Sequence, residues 1–214
     1  MKQQYVVNKD TYNSIANSYA EHAYKKQYME KYVMDFGKTL KKNASILDLG
    51  CGPAQDDYLF IESGFKITGV DFSERMIEEA KKRVPDGTFI CSDLVELQFE
   101  TNSFDAIWSV GSLHFIDQSD LEVLMKKTFS WLKPGGKAFI STKSGKGSGF
   151  EKQIQVGVGI QNDKYWVYWE KDKLIKLLEE IGFNVTKITE TEPERKKDLP
   201  NGFTEIFLNI WFEK

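Results

Sequence analysis

Apolar runs at 45–49, 66–70, 88–92, 104–110 and 137–142 recur along the chain with helical patterning between them. Strands that alternate with helical crossovers run in the same direction, so they build a parallel sheet covered by helices on both faces. This predicts a doubly wound α/β fold. Helix ends are legible too. Ser73 is placed to cap the helix that begins at Glu74, and Pro85-Asp86-Gly87 stops it. Ser119 and Glu122 have capping-box spacing ahead of a second helix, which Pro134-Gly135-Gly136 is expected to terminate. An amphipathic helix ending at Gly182 precedes two strand-like runs, 183–190 and 203–214, joined by a charged turn over 192–202 without a helix. Such a connection favours an antiparallel pair, giving a seven-stranded, mostly parallel sheet with an antiparallel C-terminal strand.

Two segments break the alternation. Residues 1–40 are polar, aromatic and helical in pattern, and residues 143–170 carry a glycine-serine loop followed by Lys164-Tyr165-Trp166-Val167-Tyr168-Trp169. We read 1–214 as a single domain with these two segments as additions near a site. The chain has 29 Lys plus Arg against 32 acidic residues, a formal charge of −3, so it lacks the overall basic footprint of a nucleic-acid binder. No signal-peptide pattern or membrane-length apolar run occurs, so a cytoplasmic protein is expected, as a monomer or homodimer. Two cysteines and two unclustered histidines predict no metal site. Cys51 and Cys91 are expected to be buried thiols, too far apart for a disulfide.

The first strand runs straight into glycines and acids: Asp48-Leu49-Gly50-Cys51-Gly52-Pro53-Ala54-Gln55-Asp56-Asp57. Missing side chains let a ligand approach the backbone at the carboxyl end of a parallel strand, although such a turn also serves plain strand–helix packing. A dinucleotide fingerprint needs a small residue where Gln55 stands, and carboxylates repel a pyrophosphate. A cationic ligand fits better. Asp56 and Asp57 also suit the first turn of a helix, where the dipole stabilises them. The second strand ends in Asp71, 23 positions after Asp48, where doubly wound folds hold the acid that accepts from ribose hydroxyls. The third ends near Asp93, placed to accept from an exocyclic amine such as that of adenine.

In order and spacing, ILDLGCGPA, GVDFSERMI, CSDLVEL, FDAIWSVGSLHF and LKPGGKAFIST resemble the successive motifs of class I S-adenosylmethionine-dependent methyltransferases, small-molecule (ubiquinone-biosynthesis-like) branch. The resemblance spans about residues 10–190 and implies a Rossmann-like sheet. It implies S-adenosylmethionine as cofactor and S-adenosylhomocysteine as product, a sulfonium and an ammonium standing where a dinucleotide has phosphates. By the same resemblance Asp48, Gly50, Cys51 and Gly52 would meet the methionine part, and Asp71 the ribose. Phe72 and Met76 would cover the adenine faces, Asp93 and Leu94 its edge, and Ser109 would offer a carbonyl to the ammonium. Ala54 departs from a glycine common in the family. Tyr12 and Tyr19 are similar to the tyrosines of a family N-terminal helix that would act as a lid.

Methyl transfer from a sulfonium needs an aligned acceptor and a dry site more than a dedicated catalytic residue. Where the acceptor must lose a proton, His114 is the candidate base, with a structural histidine as the plainer reading. Tyr165, Trp166 and Trp169 are candidate covers for a small-molecule acceptor, or simply core. Alternatives are a non-catalytic cofactor-binding partner protein, a nucleic-acid methyltransferase, whose Asn/Asp-Pro-Pro-Tyr loop is replaced here by Val110-Gly111-Ser112-Leu113, and an oxidoreductase.

Overall fold

The computed structural model describes residues 2–154, 161–192 and 206–214. Residues 155–160 of the expected insertion and nearly all of the charged turn after the penultimate strand lie outside them. Helices α1 (Gln3–Lys26) and α2 (Glu30–Gly37) lead into strand β1 (Ser45–Leu49). Then follow α3 (Gln55–Glu62), β2 (Lys66–Asp71), α4 (Glu74–Arg83), β3 (Thr88–Cys91) and β4 (Phe104–Val110). After a single 3-10 turn at Leu113–Phe115 come α5 (Gln118–Trp131), β5 (Leu132–Ser144) and a hairpin of β6 (Ser148–Ile154) and β7 (Gln161–Val167). Helix α6 (Lys171–Ile181), β8 (Asn184–Thr191) and β9 (Ile206–Glu213) complete the order.

The main sheet has seven strands in the order β3-β2-β1-β4-β5-β9-β8. The pairs among β1–β5 are parallel, and β9 lies antiparallel between β5 and β8, as expected from the sequence. Order reverses at β1, so the connections leaving β1 and β4 pass to α3 and α5 on opposite faces and leave a crevice between them. Alternation along β1 sends Leu47 and Leu49 into one core, with Leu113, Leu121, Leu174 and Leu178. Ile46 goes to the opposite core, with Phe36, Phe60, Trp108 and Phe139.

Local signals worked at some helix ends and failed at others. Ser73 Oγ accepts from Met76 N at 3.1 Å, and α6 stops at Gly182 with φ +112°. Ser119, by contrast, lies inside α5. Asp117 holds the N-cap position, because its backbone N–H is taken by the Tyr5 hydroxyl and its carboxylate by Lys2 and Gln4. Pro134-Gly135-Gly136 does not end α5 either. The helix has stopped at Trp131, and these residues form an irregularity in β5, where pairing jumps from Phe104–Leu132 to Ala106–Lys137. Cys51 is buried but Cys91 is exposed, contrary to expectation, because it closes the outer strand of the sheet.

The hairpin forms its own two-stranded sheet. Helix α1 supplies bonds to the outer edge of β7. Asn8 donates to the Tyr165 carbonyl at 3.1 Å and accepts from its N–H at 2.8 Å, while Thr11 donates to the Asp163 carbonyl at 3.0 Å. The other end of the α1 contact is α4, where Asn13 Oδ1 accepts from Ser73 Oγ at 2.6 Å and from Arg75 N at 3.2 Å.

Candidate active site

Beneath α1, at the carboxyl ends of β1, β2 and β4, is a pocket with an empty volume of about 830 Å3, part of it open to solvent. Its floor is the glycine turn. Gly50 and Cys51 both donate to the Val70 carbonyl, at 2.8 and 3.0 Å, which fastens the turn to the next strand. Gly50 has φ +90°, and a Cβ there would stand 2.2 Å from Ser112 Cβ, so both conformation and space demand glycine. Ser112 is fixed in turn: its hydroxyl and that of Ser109 both reach the Leu49 carbonyl, at 2.6 and 2.8 Å. Ala54 is itself left-handed, with φ +65°, which explains why glycine suits that position.

Asp71 organises the floor. Its Oδ2 accepts from Gly52 N at 3.1 Å and its Oδ1 from Ser73 N at 2.8 Å. Burial pushes its pKa up to about 6, against the pull of these backbone N–H groups, so it is chiefly ionised at pH 7. Each carboxylate oxygen keeps a second lone-pair site for a ligand hydroxyl. Phe72, Met76, Asp93 and Leu94 continue the wall. Asp93 Oδ1 accepts from Val95 N at 3.0 Å, leaving its other oxygen for a ligand donor.

The roof is aromatic. Tyr5, Asn8, Tyr12 and Tyr19 all line the pocket from α1, and Tyr12 meets Tyr19, Phe72 and Phe115 edge-on at 5.6–6.3 Å between ring centroids. The ammonium of Lys164, itself buried, lies 3.3 Å from the Tyr12 hydroxyl.

Of the residues singled out from sequence, Gly50, Cys51, Gly52, Asp71, Phe72, Met76, Asp93, Leu94, Tyr12 and Tyr19 line this one pocket. Asp48 and Ser109 sit buried behind its floor. His114 lies on the 3-10 turn behind Phe115, its ring 4.4 Å from that of Phe115 and 5.0 Å from that of Trp166. Trp166 packs on Phe115 at 4.9 Å, and buried Trp169 donates to the Leu113 carbonyl at 3.2 Å. Tyr165 is on the hairpin, its hydroxyl bonded to Ser148. Tyr5, Asn8, Gln55, Ser112, Phe115 and Ile116 also line the pocket, and sequence reasoning missed them. Positions 5, 8, 12 and 19 share one helical face, a spacing that could have revealed the first two.

The donors and acceptors fit an S-adenosylmethionine-type ligand: a floor that excludes side chains, acids at two successive strand ends and apolar faces between them. Residues 46–136, somewhat under half of the chain, match the family model described as a methyltransferase domain. A solved S-adenosylmethionine-dependent methyltransferase from Methanosarcina mazei superposes with a TM-score of 0.70 at 19% identity, over 82% of this chain and 94% of that one. Among curated proteins, phosphoethanolamine N-methyltransferase 1 of Arabidopsis thaliana is 33% identical over 121 residues, 54% of this chain and 23% of the relative. Malonyl-[acyl-carrier protein] O-methyltransferase of Salmonella typhimurium is 26% identical over 127 residues, 59% of this chain and 49% of the relative. The matched region thus spans a quarter to half of these relatives' lengths. Among the described residues no helix is long and apolar enough to cross a membrane, and no group of three or more His, Cys, Asp or Glu could hold a metal.

Proposed function

We propose that this protein transfers a methyl group from S-adenosylmethionine to a small-molecule acceptor held between the pocket floor and α1. The supporting observation is the convergence of the glycine turn, Asp71 and Asp93 on one pocket roofed by tyrosines. In this reading Asp71 holds the ribose, Phe72 and Met76 sandwich the base, and Asp93 takes its amino group. The cofactor, once bound, supplies a methyl on a sulfonium with an excellent leaving group. The chain's task is then to align the acceptor and exclude water. Tyr5, Tyr12 and Phe115 suit that task, because aromatic faces displace water and tolerate a passing cationic centre. His114 is buried and does not line the pocket, so a role as base requires a rearrangement that brings its ring to the acceptor. The two relatives are named for different acceptor atoms, so likeness in the matched region follows the cofactor and leaves the acceptor to be found.

Calorimetric titration with S-adenosylmethionine, S-adenosylhomocysteine and NAD tests the cofactor assignment. The first two are expected to bind and NAD to stay silent, after which a mass-spectrometric screen for a 14-dalton gain (roughly one CH2, the unit of methylation) would find the acceptor. Tight NAD binding with no adenosyl ligand bound would sink the proposal.

A further inference from the structure

Behind the glycine turn, three carboxylates share one dry space. β1 directs Asp48 to the same side of the sheet as Ile46, where α3 brings Asp56 and Asp57 against it, and all three are at most 4% exposed. Asp56 is provided for, since Trp108 Nε1 donates to its Oδ2 at 3.0 Å. Asp48 Oδ1, both oxygens of Asp57 and Gln55 Oε1 are buried without a donor. Two ionised carboxylates facing each other in a low-dielectric space repel strongly, whereas one proton between them turns one into a donor for the other. Burial, and then the neighbouring acids, push Asp48 well above the carboxylate range, and burial followed by Asp56 pushes Asp57 up to about 8.

Among the other titratable groups around the pair, the thiol and the phenol keep their protons near neutrality, and the other two carboxylates are raised less than Asp57. Burial pushes the Cys51 thiol upward, and likewise the Tyr24 phenol of α1, which donates to the carbonyls of Pro53 and Ala54. Arg83 of α4, 5.0 Å from the Tyr24 ring, is paired with Glu79. Asp56 and Asp71 are each raised by burial only to about 6.

We propose that Asp48 and Asp57 hold one shared proton in the ligand-free protein and release it to solvent when the cationic cofactor enters the pocket. The inference rests on the cofactor reading above. S-adenosylmethionine brings a sulfonium and an ammonium against one carboxylate, a net positive charge placed on the floor formed by Gly50, Cys51, Gly52 and Asp71. The charge of Asp71 already reaches Asp48 and disfavours its ionisation. A cation over the same floor acts in the opposite direction. The balance is simple: a carboxyl–carboxylate pair becomes two carboxylates, and one proton leaves. Release is smaller for S-adenosylhomocysteine, which lacks the sulfonium charge, so proton uptake favours departure of the product and proton loss favours entry of fresh cofactor.

Calorimetry at pH 7 in buffers of different ionisation enthalpy counts the protons. We expect about 0.5–1 proton released per S-adenosylmethionine, fewer for S-adenosylhomocysteine, and an affinity that rises with pH by up to about tenfold per unit. Asp57→Asn keeps the shape, lets the amide donate to Asp48, and is expected to bind cofactor with no proton release. Binding to the native protein without release, or unchanged release in Asp57→Asn, overturns the inference while leaving the cofactor reading intact. Failure to bind at all removes both. A ligand-free arm guards against a misfolded variant: the infrared carbonyl band of a protonated carboxyl should be present in the native protein at pH 7 and vanish by pH 10. Its absence at pH 7 refutes the shared proton directly.

Discussion

The floor and the roof of the pocket are held by different physics. The floor is built of backbone: left-handed glycines, N–H groups aimed at Val70 and Asp71, and a Ser112 hydroxyl wedged under Leu49. The roof, α1, is held by side chains that reach across to other elements: Asn8 and Thr11 to β7, Asn13 and Lys9 to α4, Tyr5 and Lys2 to the start of α5. A region fastened through its backbone has one conformation, while one fastened by separate polar contacts can detach piece by piece. Under the proposed function, the floor would be the rigid, cofactor-holding half and α1 the cover through which ligands pass.

The sharpest break of this contrast is at Gly50. An alanine there must adopt φ +90° with its Cβ in the Ser112 side chain, so Gly50→Ala should destabilise the whole domain by about 3 kcal/mol or more in urea unfolding. A native-like midpoint would mean that the floor is plastic. Next is Asp71→Ala, which removes the anchor of Gly52 and Ser73 together with the proposed ribose acceptor. Cofactor affinity is expected to fall by about 10–150-fold, or ~1.5–3 kcal/mol, in titration calorimetry. An unchanged affinity would remove the ribose assignment.

How far the sequence reached follows the same division. The floor was legible because its chemistry is local: glycines, strand ends and terminal acids occupy fixed places along each βα unit, and eight of the residues chosen there, by spacing or by family resemblance, line one pocket. Beyond Tyr12 and Tyr19 the cover was not, because its contacts join residues 60 to 157 positions apart, such as Asn13 with Ser73 and Asn8 with Tyr165, and no local pattern encodes such partners. The Ser119 capping signal failed for that reason too, overridden by Tyr5 arriving from α1. Asp57 suits the first turn of a helix by sequence, yet its burial against Asp48 is a tertiary fact.

Acidity should separate the two halves. The floor's carboxylates are raised by burial, so the folded protein binds protons that the unfolded chain has already lost, and stability falls as pH rises from about 4 toward 8. The roof has the opposite sign. Hydrogen bonding from Lys9 lowers Glu74, and Asp120 is held low by Lys2 and Tyr5 although burial opposes it, so these contacts persist above pH 4 and are lost below it. Partial exposure keeps the roof contribution small. Thermal unfolding should therefore show a lower midpoint at pH 9 than at pH 6, and Asp57→Asn should flatten that slope, raising stability at pH 9 by about 1–3 kcal/mol. An equal slope in the variant would place the titrating group elsewhere.

The gentlest test acts on the cover alone. A two-stranded sheet leaves its edges unpaired, and at Tyr165 Asn8 serves the outer edge of β7 as a neighbouring strand would, filling both the N–H and the carbonyl. Asn8→Ala strands these two groups and should cost about 1–2 kcal/mol, confined to the contact between α1 and the hairpin. Because the floor keeps its own bonds, the global unfolding midpoint should shift little. Hydrogen exchange over α1 and β7 should instead rise several-fold, by about 5–30-fold for that energy, with faster cofactor dissociation. If exchange stays native while the midpoint drops, α1 unfolds only with the rest of the domain. The cover would then be as much a part of the rigid core as the glycine turn, and ligands would have to enter without displacing it.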